Sequence, residues 1–92
     1  MVGTVTSQRT KIEQVRAALE RFCREKLGDP SAIIDFVPTD FFDFFEVVLI
    51  SPKFKKMPYS ERLEMVMKSL SSDPQLPREA FTSISRILTE EE

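Results

Sequence analysis

The sequence predicts a single small domain that contains both helices and strands. The chain has 92 residues, of which 41% are apolar and 30% are charged, a composition typical of one folded domain. Two segments repeat apolar residues at helical spacing, and two short segments between them are rich in β-branched and aromatic residues. We therefore expect one domain over residues 8–92, preceded by a flexible N-terminus at residues 1–7.

The first helix is predicted over residues 7–27. Ser7 or Thr10 can cap its N-terminus, and Gly28 is suited to end it in a left-handed conformation. One apolar stripe runs along it, formed by Ile12, Val15, Leu19, Phe22, Cys23 and Leu27.

Two strands are predicted next, over residues 31–37 and 44–50. In the second strand, Phe45, Val47 and Leu49 share one face, but the other face is also largely apolar. A strand that is apolar on both faces is typical of a central, covered position in a sheet.

A second helix is predicted to begin between Pro58 and Ser60, with Ser60 as a cap, and to end near Leu70. Its apolar face comprises Leu63, Val66, Met67 and Leu70, and the charged residues Glu61, Arg62, Glu64 and Lys68 are expected mostly on the other side. Residues 80–89 are ambiguous, because their spacing favours a helix whereas their β-branched and hydroxyl side chains favour a strand.

Several functional classes are disfavoured by composition. The chain has no histidine and one cysteine, which excludes an imidazole base, an internal disulfide and a Cys/His zinc site within one chain. No apolar run approaches the roughly 20 residues of a membrane span, and no secretory signal is visible. We expect a cytoplasmic, non-enzymatic protein without a metal or cofactor. Cys23 is expected to be a buried small apolar residue, with a reactive or cluster-binding thiol as the alternative.

Two segments are candidate contact sites. Lys53, Lys55 and Lys56 surround Phe54 and form either a solvated turn with Phe54 in the core or a phosphate-binding loop with Phe54 stacked on a base. Phe41 and Phe42, flanked by aspartates, form either an exposed protein-contact patch or a small cluster that covers the sheet.

Residues 44–70 resemble the signature region of BolA-like proteins. The matching residues are Phe44-Phe45-Glu46-Val47-Val48-Leu49-Ile50-Ser51, Pro52, Phe54, Glu61-Arg62, Val66 and Leu70. The family has a hydrophobic strand that ends in Ser, then a Phe, a Gly and an Arg-His pair that opens a helix. The segment Leu88-Thr89-Glu90-Glu91 is similar to the family's closing strand and the motif that follows it.

The resemblance implies an α+β fold in the order αββαβ, with a three-stranded sheet and two helices packed on one face, and favours a strand at residues 81–88. BolA-like proteins share a [2Fe–2S] cluster with monothiol glutaredoxins through His or Cys ligands. This chain has Lys56 in place of the family Gly, Leu63 in place of the His after Arg62, and no His near residues 79–81. The loop between the first two strands offers only Asp40, Phe41, Phe42 and Asp43.

The sequence therefore predicts a non-catalytic BolA-like interaction module that lacks the usual cluster ligands. The resemblance implies a protein partner, a monothiol glutaredoxin or another iron–sulfur assembly component. The predicted contact residues are Phe41, Phe42, Lys53, Lys55, Lys56 and Arg62. The alternative is a small nucleic-acid-binding domain that uses residues 53–56 and the following helix. The oligomeric state stays open.

Overall fold

The computed structural model describes residues 3–40 and 44–91 of the chain. Its main elements, in order, are helix α1 (Gly3–Phe22), strand β1 (Ile33–Pro38), strand β2 (Phe45–Ile50), helix α2 (Tyr59–Ser71), helix α3 (Arg78–Thr82) and strand β3 (Ile84–Glu90). A π-helical segment, Cys23–Leu27, extends α1, and a 3-10 helix, Pro52–Lys56, lies between β2 and α2. Each described helix is too short or too polar to cross a bilayer.

The three strands form one mixed sheet in the order β1-β2-β3. β1 runs antiparallel to β2, with Asp35 opposite Val48. β3 runs parallel to β2, with Leu88 opposite Val48. Parallel neighbours need a long crossover connection, which α2 and α3 provide here. The prediction of a small α+β domain with a three-stranded sheet is confirmed.

The core lies between the helices and one face of the sheet. That face carries Phe45, Val47 and Leu49, and all three side chains are buried. α1 and its extension pack here with Val15, Ala18, Leu19, Phe22, Cys23 and Leu27, and α2 packs here with Val66 and Leu70. The alternation along β2 and the helical stripe of α1 therefore predicted the core correctly.

The opposite face of the sheet remains partly open to solvent. Ile33 and Val37 on β1 are exposed, while Val48 and Ile50 on β2 are only half-buried. The expectation that β2 is covered on both faces is wrong, because the helices of the described chain pack on the same side of the sheet. The central position of β2 is confirmed.

The ends of the first helix follow from local sequence. Gly28 adopts φ +77°, and its N–H donates a hydrogen bond to the Cys23 carbonyl, as expected for a glycine that ends a helix. At the other end, the described helix already begins at Gly3, earlier than the predicted start at Ser7. In α2, the cap position is Pro58 rather than Ser60, so the predicted Ser60 cap is wrong.

The ambiguous segment 80–89 divides into a helix and a strand. Pro77, with φ −62°, precedes the single short helix α3, and Ser83 ends it. The chain then becomes extended at Ile84, where pairing with β2 begins. The helical spacing was therefore correct for the first part of the segment, and the β-branched composition was correct for the second part. The short helix α3 was not among the two predicted helices.

Candidate protein-interaction site

The strongest candidate site is the 3-10 helix Pro52–Lys56, hereafter the lysine turn. The Ser51 side chain caps it by accepting a hydrogen bond from the Lys53 backbone N–H at 3.1 Å. The side chain of Phe54 is fully buried, whereas Lys53, Lys55 and Lys56 are exposed. Phe54 therefore anchors the turn to the core and leaves three ammonium groups on the surface. The interpretation of Phe54 as a core residue is confirmed.

A buried polar network holds the base of the lysine turn. Asp29, which follows the end of the first helix, accepts a hydrogen bond of 2.5 Å from the Ser51 hydroxyl. It also accepts bonds from the Ser31 hydroxyl at 2.7 Å and from the Ser31 backbone N–H at 3.1 Å. Both Asp29 and Ser51 are buried. The network fixes the lysine turn to the α1–β1 connection, 22 residues earlier in the sequence.

The same hydrogen bonds determine the charge state of Asp29. Donation from Ser51 and then from Ser31 lowers the pKa of the Asp29 carboxyl, and the Lys53 charge adds a smaller lowering effect. Burial opposes these effects without reversing them. Asp29 is therefore an ionised acceptor under ordinary conditions, and the hydroxyls of Ser51 and Ser31 are oriented towards it.

Arg62 does not belong to the exposed part of this site. Arg62 is only 7% exposed, so the prediction that it lies on the solvent side of α2 is wrong. The guanidinium donates to the Met57 carbonyl at 2.9 Å and to the Glu91 carboxylate at 2.7 Å, and lies 5.8 Å from the centre of the Phe54 ring. Arg62 thus joins the start of α2 to the end of β3 and supports the lysine turn from inside.

The predicted aromatic half of the site, Phe41 and Phe42, lies outside the described residues. The nearest described residues, Asp40 and Phe44, stand at the amino end of β2, whereas the lysine turn follows its carboxyl end. A strand of six residues spans about 20 Å. Asp40 and Phe44 are therefore separated from the lysine turn by about the length of β2.

Cys23 and Glu79 are the residues whose positions bear on a cluster-binding site. Cys23 is 2% exposed, which agrees with the prediction of a buried apolar role. Burial raises the pKa of its thiol to about 11, and the charges of Asp29 and Glu20 add to the rise. Glu79, near the position of the family histidine, is an exposed residue of α3. Over residues 3–40 and 44–91, no group of three His, Cys, Asp or Glu residues is placed to hold a metal ion.

A second surface was not predicted from the sequence. Tyr59, Leu63 and Met67 of α2 face Phe81 and the start of β3 across an apolar groove with a volume of about 540 Å³. Tyr59 and Met67 are 48% and 40% exposed. The helical spacing of Leu63 and Met67 indicated a core face and not an open groove, and Tyr59 was not assigned to that face.

No protein-family model, curated protein or solved structure significantly matches this chain.

Proposed function

We propose that this chain is a non-catalytic, BolA-like interaction module that binds an acidic surface of a protein partner through the lysine turn. The observation that carries the proposal is the combination of three exposed lysines with a rigid base. The resemblance of residues 44–70 to BolA-like proteins suggests the class of partner, a monothiol glutaredoxin or another iron–sulfur assembly component. The iron–sulfur connection rests on that resemblance alone.

The rigid base matters because loose lysines contribute little to binding. A charged side chain on a mobile loop loses conformational entropy on binding, which offsets much of its electrostatic gain. Here the backbone of the turn is fixed by the Ser51 cap, by the 2.5 Å bond from Ser51 to Asp29 and by the buried Phe54 ring. Only the lysine side chains remain to be ordered by a partner.

The charge distribution also favours an acidic partner at this position. The chain has a net charge of −2, and residues 29–52 contain five acidic residues and no basic one. The lysine turn follows that acidic segment directly, so it is a local positive patch on an acidic protein. Complementary charge of this kind mainly sets orientation, association rate and discrimination between partners.

Titration calorimetry with a glutathione-bound, cluster-loaded monothiol glutaredoxin tests the proposal. We expect the wild-type chain to bind, and the triple variant Lys53→Ala, Lys55→Ala, Lys56→Ala to bind about threefold to a hundredfold more weakly, since each lost charge pair contributes about 0.2–1 kcal/mol. The variant should also lose most of the salt dependence of binding. The visible spectrum of the cluster, recorded in the same mixture, reports any change in its ligands.

A matched control removes three cations elsewhere. Lys26, Lys68 and Arg78 are exposed and lie outside the lysine turn, and replacing them with alanine gives the same change in net charge. The control variant should bind like the wild type. No heat of binding together with an unchanged spectrum for the wild type would remove this proposal, and equal weakening by both triple variants would remove the lysine turn as the contact site.

Nucleic-acid binding is a second candidate because Tyr59, half exposed at the start of α2, lies three residues after the lysine turn. Exposed lysines beside an exposed aromatic ring are the elements of a single-strand site. The buried Phe54 is not accessible for the predicted base stacking, so Tyr59 would have to take that role. Fluorescence anisotropy with short single-stranded and double-stranded DNA and RNA would show a log–log salt slope of about −2 to −3 for three phosphate contacts. A flat or absent signal at low salt excludes this function.

A further inference from the structure

β3 is an edge strand, and its outer edge carries backbone groups that no strand of the described chain pairs. The Ser51 N–H donates to the Glu90 carbonyl at 2.9 Å, so the backbone groups of Glu90 face β2. Backbone direction alternates along a regular strand, so the groups of Ile87 and Thr89, which lie in the regular part of the β2–β3 register, face outward. The Tyr59 hydroxyl contacts the Ile87 carbonyl at 3.4 Å from that side, through a long and weak hydrogen bond. Such an edge is a template for another strand.

The charges along β3 are complementary to those of a second β3 strand running in the opposite direction. Arg86, Leu88 and Glu90 lie on the open face of the sheet, opposite Glu46, Val48 and Ile50 of β2. If two β3 strands pair antiparallel about Leu88, each Arg86 lies opposite the Glu90 of the other copy, and the two Leu88 side chains meet at the centre. Opposite charges at directly facing positions stabilise an antiparallel pair.

The same register also gives hydrogen-bond partners to the outward backbone groups of β3. Pairing about Leu88 places Ile87 opposite Thr89 of the second copy, and both residues direct their N–H and carbonyl groups to the outer edge. The weak bond from Tyr59 to the Ile87 carbonyl is then replaced or shared by the N–H of Thr89 from the second copy. Pairing about Arg86 or about Glu90 would instead place two like charges opposite each other. Pairing about Ile87 or Thr89 would leave each Arg86 without Glu90 opposite it.

The helix layer beside β3 favours the same contact. Tyr59, Leu63 and Met67 line the apolar groove next to the outer edge of β3, and Tyr59 and Met67 are among the large apolar side chains that the chain exposes. A two-fold axis through the β3 pair places the grooves of both copies on the same side of the new sheet. The exposed faces of the two α2 helices then cover each other across the axis.

We propose that the chain forms a symmetric dimer with a second copy of itself, through antiparallel pairing of the two β3 strands about Leu88. The product is a continuous six-stranded sheet with the two α2 helices on one side. The inference does not depend on the partner suggested for the lysine turn, and either can fail without the other.

Charge reversal tests the dimer and its register together. In Arg86→Glu alone, the introduced glutamate would face Glu90 of the other copy at both ends of the strand pair. In Glu90→Arg alone, the introduced arginine would face Arg86 at both ends. A mixture of the two variants restores an opposite-charge pair at both positions. We expect sedimentation equilibrium to show a wild-type dimer, at least about tenfold weaker association for each variant alone, and recovery of a heterodimer in the mixture.

Two further measurements make the outcome decisive. Glu13→Arg, an equal charge change on an exposed position of α1, should leave the dimer unchanged. The backbone amides of Ile87 and Thr89 should exchange more slowly as protein concentration rises. Recovery in the mixture also shows that Arg86→Glu, which loses its 3.1 Å partner Glu46, still folds. A wild-type monomer up to several hundred micromolar, or a mixture no more associated than its separate components, would overturn the proposal.

Discussion

Truncation of the Phe54 side chain should destabilise the whole domain, because the ring is fully buried beneath the lysine turn. Phe→Ala substitutions in protein cores cost about 3–5 kcal/mol, from the lost apolar contacts and the cavity that remains. A domain of 92 residues has a total stability of roughly 5–14 kcal/mol. Phe54→Ala therefore removes a large part of the stability, and the contact with the Arg62 guanidinium is lost with the ring.

Urea unfolding followed by circular dichroism measures this loss. Thermal unfolding followed by the same signal reports it as a lower melting temperature. At about 4–8 °C per kcal/mol for a domain of this size, the melting temperature of Phe54→Ala should be lower by more than about 12 °C. Lys55→Ala, one residue away but exposed, should change the stability by less than about 0.5 kcal/mol. A Phe54→Ala variant as stable as the wild type would show that Phe54 is not a core anchor, and the rigid base of the proposed binding site would be lost with it.

Three further results are expected. The lowered pKa of Asp29 means that its ionised form stabilises the fold above its unfolded-state pKa, and that this contribution disappears as the pH falls through the folded-state pKa. Urea midpoints between about pH 5 and pH 2 should therefore decline more steeply for the wild type than for Asp29→Asn, and parallel curves would contradict the network. Cys23, with a thiol pKa of about 11, should react with a disulfide reagent at pH 8 only when urea unfolds the chain, so rapid labelling of the native protein would be inconsistent with its burial. Arg62→Met should cost about 2 kcal/mol in urea unfolding because the bonds to Met57 and Glu91 are lost, and a neutral result would show that they contribute nothing.

The parts of the fold that depend on local pattern were predictable from the sequence. The stripe of α1, the glycine at its end and the alternation along β2 each follow from neighbouring residues alone. Segment 80–89 could not be divided into α3 and β3, because a helix of five residues is too short to show a clear period. Its strand half is determined by pairing with β2, which lies about 40 residues earlier.

The hydrogen bonds that hold the lysine turn in place could not be predicted from the sequence, because they join distant segments of the chain. The bond from Ser51 to Asp29 spans 22 residues, and the bond from Arg62 to Glu91 spans 29. Helical spacing placed Arg62 on the solvent side, whereas the Met57 carbonyl, the Phe54 ring and Glu91 create a polar pocket for it. Lys53, Lys55 and Lys56 are exposed, as the interpretation of this segment as a solvated turn implied.

The most direct test of the proposed function is a map of the contact surface by NMR. Amide shifts of the isotope-labelled chain would be followed while a cluster-loaded monothiol glutaredoxin is added. We predict that the largest changes fall at Ser51, at the lysine turn and at Met57, with smaller changes at Asp29 through its bond to Ser51. Changes confined to the far end of the sheet around Asp40 and Phe44, or no changes at all, would contradict the assignment of the lysine turn as the binding site.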